Sequence, residues 1–334
     1  MQILRASQAS RRRGRKTLLV AAIVLAVVAA VSIYFGAVKV GFFSAFTDMD
    51  KRILGLRAGR ILLALTVGGG LSVAGVILQG LMRNPLCEPY VLGISSGAAL
   101  GAVISTIVFG MQQFLGLSAL PFWAFAGAAA AFFLVYRISE VNGRIPIQNL
   151  LLTGVIVGAV FSSIVVFIVS FSQKEYLHSV MWWLLGNLQI FDMKLLLSVT
   201  IVIVTSVILA SFNSRELNAI SLGEEEAAHL GVDIERTKKR LFIIASVITG
   251  AAVSAAGMIG FVGLIVPHFI RLLIGANHRA VIPVSFIAGG AFLIFCDFIA
   301  RMVMLPAEVP VGVITALCGG PFFLYLLRKK SRVR

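Results

Sequence analysis

Ten apolar runs follow one another along this chain, at residues 17–37, 59–82, 92–110, 120–137, 148–171, 193–212, 240–257, 259–274, 280–303 and 308–327. A hydrocarbon core about 30 Å thick takes about 20 apolar residues per helical crossing, and in lipid a helix is the element that pairs its own N–H and C=O groups. The sequence therefore reads as an all-α integral membrane protein with about ten transmembrane helices. Composition agrees: 59% of the 334 residues are hydrophobic, 13% are charged and the mean hydropathy is +0.99. Soluble domains carry about 25% charged residues.

Arg11-Arg12-Arg13-Gly14-Arg15-Lys16 ahead of the first run looks like the start of a secretory signal, but the run is too long for one and no small-residue cleavage pattern follows, so it is read as an uncleaved first span. This divides the chain into a basic N-terminus (1–16), one transmembrane domain (17–327) and a basic tail (328–334). With ten spans, 21 of the 29 Lys and Arg residues fall on the side of both termini and 8 on the other. Cytoplasmic loops carry the excess of basic residues, so both termini are expected in the cytoplasm. The net charge of +15 is accounted for in this way; no basic run is interleaved with stacking aromatics as a nucleic-acid surface would require. Cys87, Cys296 and Cys318 are too few and too scattered for a disulfide framework or a metal cluster.

The longest charged interruption, 213–240, holds six of the 14 acidic residues and five basic ones. It cannot lie in lipid and falls on the cytoplasmic side. Ser221-Leu222-Gly223-Glu224 has the spacing of a capping box, and Leu230-Gly231 supplies a stop, which predicts a short helix over 222–229. Such a helix is either a solvated connector or a handle for a soluble partner.

Catalytic signatures are scarce. No G-x-x-x-x-G-K-S/T phosphate loop, H-E-x-x-H or C-x-x-C occurs, so the chain has no ATP site of its own by this criterion, and no catalytic or metal-ligating set is assigned. Asp297 and Arg301 share a helical face; the aspartate could relay protons, though neutralising Arg301 is the favoured role, and Arg301 stays free to face outward. His268 after Pro267 reads as a packed residue. Arg57 and Arg60 at the outer mouth of the second span either snorkel or receive carboxylates from outside. Gly93, Gly97 and Gly101, and again Gly154 and Gly158, mark close helix packing. Gly68, Ser72, Ala74, Gly75 and Ile77 recur in spacing as Gly250, Ser254, Ala256, Gly257 and Ile259, an echo that would make an inverted repeat.

Several long motifs stand in order: Gly80-Leu81-Met82-Arg83-Asn84-Pro85-Leu86 running into 89–97, Leu222-Gly223-Glu224 with Leu230-Gly231-Val232, Gly260-Phe261-Val262-Gly263-Leu264-Ile265-Val266-Pro267-His268, and Pro306-Ala307-Glu308-Val309-Pro310-Val311-Gly312 near Gly320-Pro321-Phe322. Through them the chain, from about 57 to 328, resembles the permease subunits of ABC importers for ferric siderophores, haem and cobalamin. The resemblance implies the type II importer architecture, a second permease subunit, either a second copy in a homodimer or a close relative, two cytoplasmic ATPase subunits that hold ATP and Mg, an external substrate-binding protein and a metal-chelate substrate. It makes Ser221, Leu222, Gly223, Glu224, Glu225, Glu226, Ala227, Ala228, His229, Leu230 and Gly231 the ATPase-coupling segment, and Arg57, Arg60 and Arg301 the docking residues for the binding protein. The pathway is assigned to the fifth and tenth spans, with Thr153, Ser162 and Ser163 as its polar lining. Two departures stand out: Arg57-Ala58-Gly59-Arg60 lacks the family's usual proline, and Cys87-Glu88 replaces an alanine and an acidic residue. The competing readings are an ion-coupled secondary transporter, which would need intramembrane carboxylates of which only Asp297 and Glu308 qualify, and an importer of an oxyanion such as molybdate.

Overall fold

The computed structural model describes residues 2–36, 48–110, 113–114, 117–189 and 192–331; Lys39 and the end of the tail, 332–334, lie outside them. Seven helices are long and apolar enough to cross a bilayer, and three shorter apolar helices complete the ten runs among the described residues. In order these are α1 (Gln2–Tyr34), α2 (Asp48–Leu81), a 3-10 turn (Pro89–Leu92), α3 (Ile94–Val103) with a π-turn (Ile104–Val108), α4 (Leu120–Ser139), α5 (Ile147–Ser170), α6 (Lys174–Leu184), α7 (Met193–Phe212), α8 (Ser214–Leu222), α9 (Glu224–His229), α10 (Ile234–Ala256), α11 (Val262–Ile274), α12 (His278–Met302) and α13 (Val311–Ser331). A two-residue hairpin pairs Gln113–Phe114 with Leu117–Ser118.

The core is built on α2, whose apolar stretch is largely buried. Helix α12 runs antiparallel along it, since Gly80 meets His278, Gly68 meets Gly289 and Arg60 meets Asp297. α10 and α11 pack on other faces of α2, and Ile203 of α7 and Ile248 of α10 meet at Gly70. Without a hydrophobic force between helices in lipid, such contacts depend on close backbone approach. At Gly75 a Cβ would stand 1.9 Å from the Gly263 carbonyl oxygen, so only glycine admits α11 at that distance. The second bundle is α3 against α4, where Gly97 faces Gly127 and Gly101 faces the Trp123 carbonyl.

The chain breaks where α10 ends. Gly257 (φ 68°) and Phe261 (φ 68°) both take left-handed backbone. The break is held by Asn187 N donating to Ala256 O (2.8 Å) and by Phe261 N donating to the carboxylate of Glu88. Val311 N and Gly312 N donate to Gly186 O and Leu185 O (3.2 and 3.1 Å), which brings the start of α13 to the same junction. Burial pushes the Glu88 carboxyl up and the Phe261 amide pulls it back.

Four expectations need correction. The eighth run is helical only from Val262, because 257–261 forms the break. α6 was not foreseen as an element of its own. The echoed glycines differ in backbone: Gly75 continues α2, whereas Gly257 terminates α10. The helix expected over 222–229 begins only at Glu224, because Leu222 ends a separate preceding helix and Gly223 lies between the two.

Candidate functional site

The charged segment folds as α8, Gly223 and α9. Leu217 and Ile220, both fully buried, anchor α8 on the bundle. The capping box does not form, because Ser221 lies in the last turn of α8 and its hydroxyl donates to Leu217 O (2.7 Å). Gly223 instead joins the helices, and a Cβ there would collide with the Glu226 carboxylate. Ala227 is buried, Glu224 is half-buried, and Glu225, Glu226, Ala228, His229 and Gly231 are exposed. Leu222 and Leu230 are 71% and 67% exposed. The result is an acidic ridge with an apolar side chain bared at each end. Lys238 fixes it to α10, with Nζ 2.9 Å from Glu224 Oε1 and 3.2 Å from Glu235 Oε1.

At the opposite end of the bundle the structure brings Arg57, Arg60 and Arg301 together around a cavity of about 210 Å³ that Glu308 also lines. Arg301 does not face outward as expected: it is 7% exposed, its Nε lies 3.0 Å from Asp297 Oδ2, and its Nη2 donates to the Ser32 hydroxyl. Arg60 pairs with both acids, 2.8 Å from Asp297 Oδ1 and 3.0 Å from Glu308 Oε2. Arg57 is buried as well and donates to Ile33 O (2.6 Å) and Tyr34 O (3.3 Å). Arg60 and Arg301 thus pair with carboxylates, and Arg57 also binds main-chain carbonyls. Asp297 and Glu308, the two acids an ion-coupled carrier would use, are both committed to arginine.

Thr153, Ser162 and Ser163 lie on α5, most of which is unburied: Thr153 is half-buried and both serines are exposed. Ser162 Oγ reaches Ser96 Oγ (3.4 Å), and Ser163 Oγ donates to Ala159 O (2.9 Å). Beside α6 opens a cavity of about 490 Å³ walled by Trp182, Trp183, Leu120 and Leu196, with Asn187 and Asp192 among its polar groups. Sequence reasoning passed over it because α6 is too short to register as a span. Gly93-Ile94-Ser95-Ser96-Gly97 also has the G-x-S-x-G spacing of a hydrolase nucleophile turn. That turn needs a strand before it and an exposed serine; here a 3-10 turn precedes α3 and Ser95 is 2% exposed.

The apolar helices among the described residues, with an acidic segment at one end and an ion-paired arginine cluster at the other, define a multi-pass membrane protein. The FecCD transport family model matches residues 17–329, and the chain belongs to that family. It is 47% identical over 284 residues to the cobalamin import system permease protein BtuC of Halobacterium salinarum, covering 83% of this chain and 73% of that protein. It is 37% identical to the hemin transport system permease protein HmuU of Yersinia pestis, covering 93% and 95%. It also superposes on the inward-facing structure of an ABC transporter assigned to the metal-chelate type, with TM-score 0.85, 31% identity and 94% and 99% coverage. This chain is accordingly a permease subunit of an ABC importer.

Proposed function

We propose that this subunit carries a metal chelate of the cobalamin, haem or ferric siderophore class across the cytoplasmic membrane by alternating access. The observation that carries the reading is the α8–Gly223–α9 ridge, which is water-exposed yet rooted in the bundle by buried Leu217, Ile220 and Ala227. A movable soluble partner can grip such a ridge and shift the helices beneath it. That partner is a pair of separate ATPase subunits holding ATP and Mg, and the permease itself pairs with a second copy. The excess of Lys and Arg on the side of both termini supports a cytoplasmic ridge. The opposite end then faces the external binding protein, and the guanidinium groups of Arg57, Arg60 and Arg301 gathered there suit its carboxylates. Thr153, Ser162 and Ser163 offer the chelate weak hydroxyl contacts along α5, which suits passage rather than retention.

The test is uptake into proteoliposomes holding the permease, its cognate ATPase and internal ATP, with the binding protein outside. Aquacobalamin, hemin, ferric citrate and ferric hydroxamates would be offered in turn, with molybdate as the oxyanion control. ATP-dependent accumulation of one chelate supports the reading. Accumulation of molybdate alone, or uptake driven by an ion gradient without ATP, refutes it.

A further inference from the structure

A hydrogen-bonded joint, in which His278 is buried, Asn218 half-buried and Asn277 exposed, ties α8 to the first residue of α12. Asn218 Oδ1 accepts from His278 N (2.9 Å) and lies 2.8 Å from His278 Nδ1. Asn218 Nδ2 donates to Asn277 Oδ1 (3.2 Å), which also accepts from Arg279 N (3.2 Å) and so caps α12. The backbone N–H of His278 can only donate, so the amide atom it meets is the oxygen, and Nδ1 must carry the imidazole proton. Nε2 is then a bare acceptor. It is buried without a hydrogen-bond partner among the described residues, against Gly80, where a Cβ would stand 3.0 Å from it.

This arrangement is costly for a residue that merely fills space. An apolar side chain would leave no orphan lone pair, whereas His278 at 2% exposure does. What the imidazole supplies is a second bond to the same amide oxygen, so that α8 is held in position and in orientation. The other ties of the ridge differ. Lys238 binds Glu224 to α10, the helix that follows the ridge in sequence, and Ser221 Oγ reaches Gly80 O only at 3.5 Å. Beyond the joint, α12 is a rod of 25 residues, about 37 Å long at 1.5 Å per residue. Its far end carries Asp297 and Arg301, in the ion-paired cluster with Arg60.

We infer that Asn218 and His278 are positioning residues forming the joint through which a displacement of α8 and α9 is passed to α12, and along it to the arginine cluster. The inference rests on the reading of that ridge as the ATPase-driven segment.

The experiment uses the complete reconstituted transporter with spin labels at Arg215→Cys and Arg279→Cys, two exposed positions on either side of the joint, in a Cys318→Ser background. In the parent, the label separation stays the same between nucleotide-free and ATP-trapped states. Asn218→Ala is expected to make the separation nucleotide-dependent and to lower import per ATP hydrolysed by about ten-fold or more while hydrolysis continues, as loss of a coupling free energy does. His278→Leu does the same. His278→Asn, whose amide N–H can replace Nδ1–H, retains parental coupling even should the alanine variant fold poorly. Parental import per ATP in Asn218→Ala, or equal losses of import and hydrolysis with an unchanged label separation, overturns the joint. Gly223→Pro in the same vesicles separates the two ideas: if it uncouples and Asn218→Ala does not, the joint alone is wrong. If Gly223→Pro also leaves import per ATP unchanged, the ridge reading fails and the joint with it.

Discussion

Asp297 Oδ1 lies 2.8 Å from Nη2 of Arg60, a pair that bridges α2 and α12 across 237 positions of sequence. Oδ2 of the same carboxylate takes Arg301 at 3.0 Å. One acid thus compensates two guanidinium groups in a place where water barely reaches.

Removing that acid should be severe. Breaking a buried pair by deleting one partner costs about 3–5 kcal/mol, because the remaining charge stays desolvated. Asp297→Ala is expected to lower the thermal midpoint of the detergent-solubilised protein sharply, and Asp297→Asn to do so less. Lys51→Ala is the control: its contact with Asp48 is exposed on both sides and is worth about 0–1 kcal/mol.

Gly75→Ala should fail in a different way. The new methyl would fall 1.9 Å from a backbone carbonyl, and overpacking a tight contact costs about 1–3 kcal/mol or more. Expression and monodispersity by size-exclusion chromatography give the readout. At Gly55 in the same helix nothing lies within 4 Å, so Gly55→Ala should be neutral or stabilising by about 0.5–1 kcal/mol.

Glu224 and Glu225 are adjacent yet should part company on reversal. Glu225→Lys touches only the exposed side of the ridge, so the melting temperature should hold while ATPase stimulation and transport fall. Glu224→Lys also sets two cations against each other at Lys238, so stability should drop as well. Equal melting temperatures for the two variants would contradict the ion pair.

Cys87 is 3% exposed, and burial, with Glu88 adding to it, pushes its thiol up to about 12. Alkylation needs the thiolate, which at pH 8 is then only about one part in ten thousand. Maleimide labelling of Cys87, followed by mass spectrometry, should stay negligible from pH 6 to pH 9 in folded protein and appear on denaturation.

The apolar runs predicted the helices well because length and hydropathy are local properties of the chain. The ridge was legible for the same reason: charge cannot enter lipid. Its internal break was not, since Ser221-x-x-Glu224 and Gly223 offer rival helix starts, and the burial of Leu217 and Ile220 decides between them. The pairing of Arg60 with Asp297 and Glu308 depends on α2 meeting α12 and the segment that precedes α13, which no local pattern encodes. α6 escaped because eleven residues fall below the length of a crossing. The joint at Asn218 and His278 was invisible for want of any motif, although a histidine directly after an asparagine at a helix start is a signal that a capping search could find.

The arginine cluster has one more consequence. Arg57 donates to the carbonyls of Ile33 and Tyr34, and Arg301 to that of Ser32. These lie in the last turn of α1, where helix carbonyls lack intrahelical partners and the macrodipole is negative. The two guanidinium groups therefore act as the C-terminal cap of the first transmembrane helix, a helix that otherwise buries little of its surface. A carboxylate brought to this face would compete with that helix end for the same donors, and its binding would then be linked to the seating of α1.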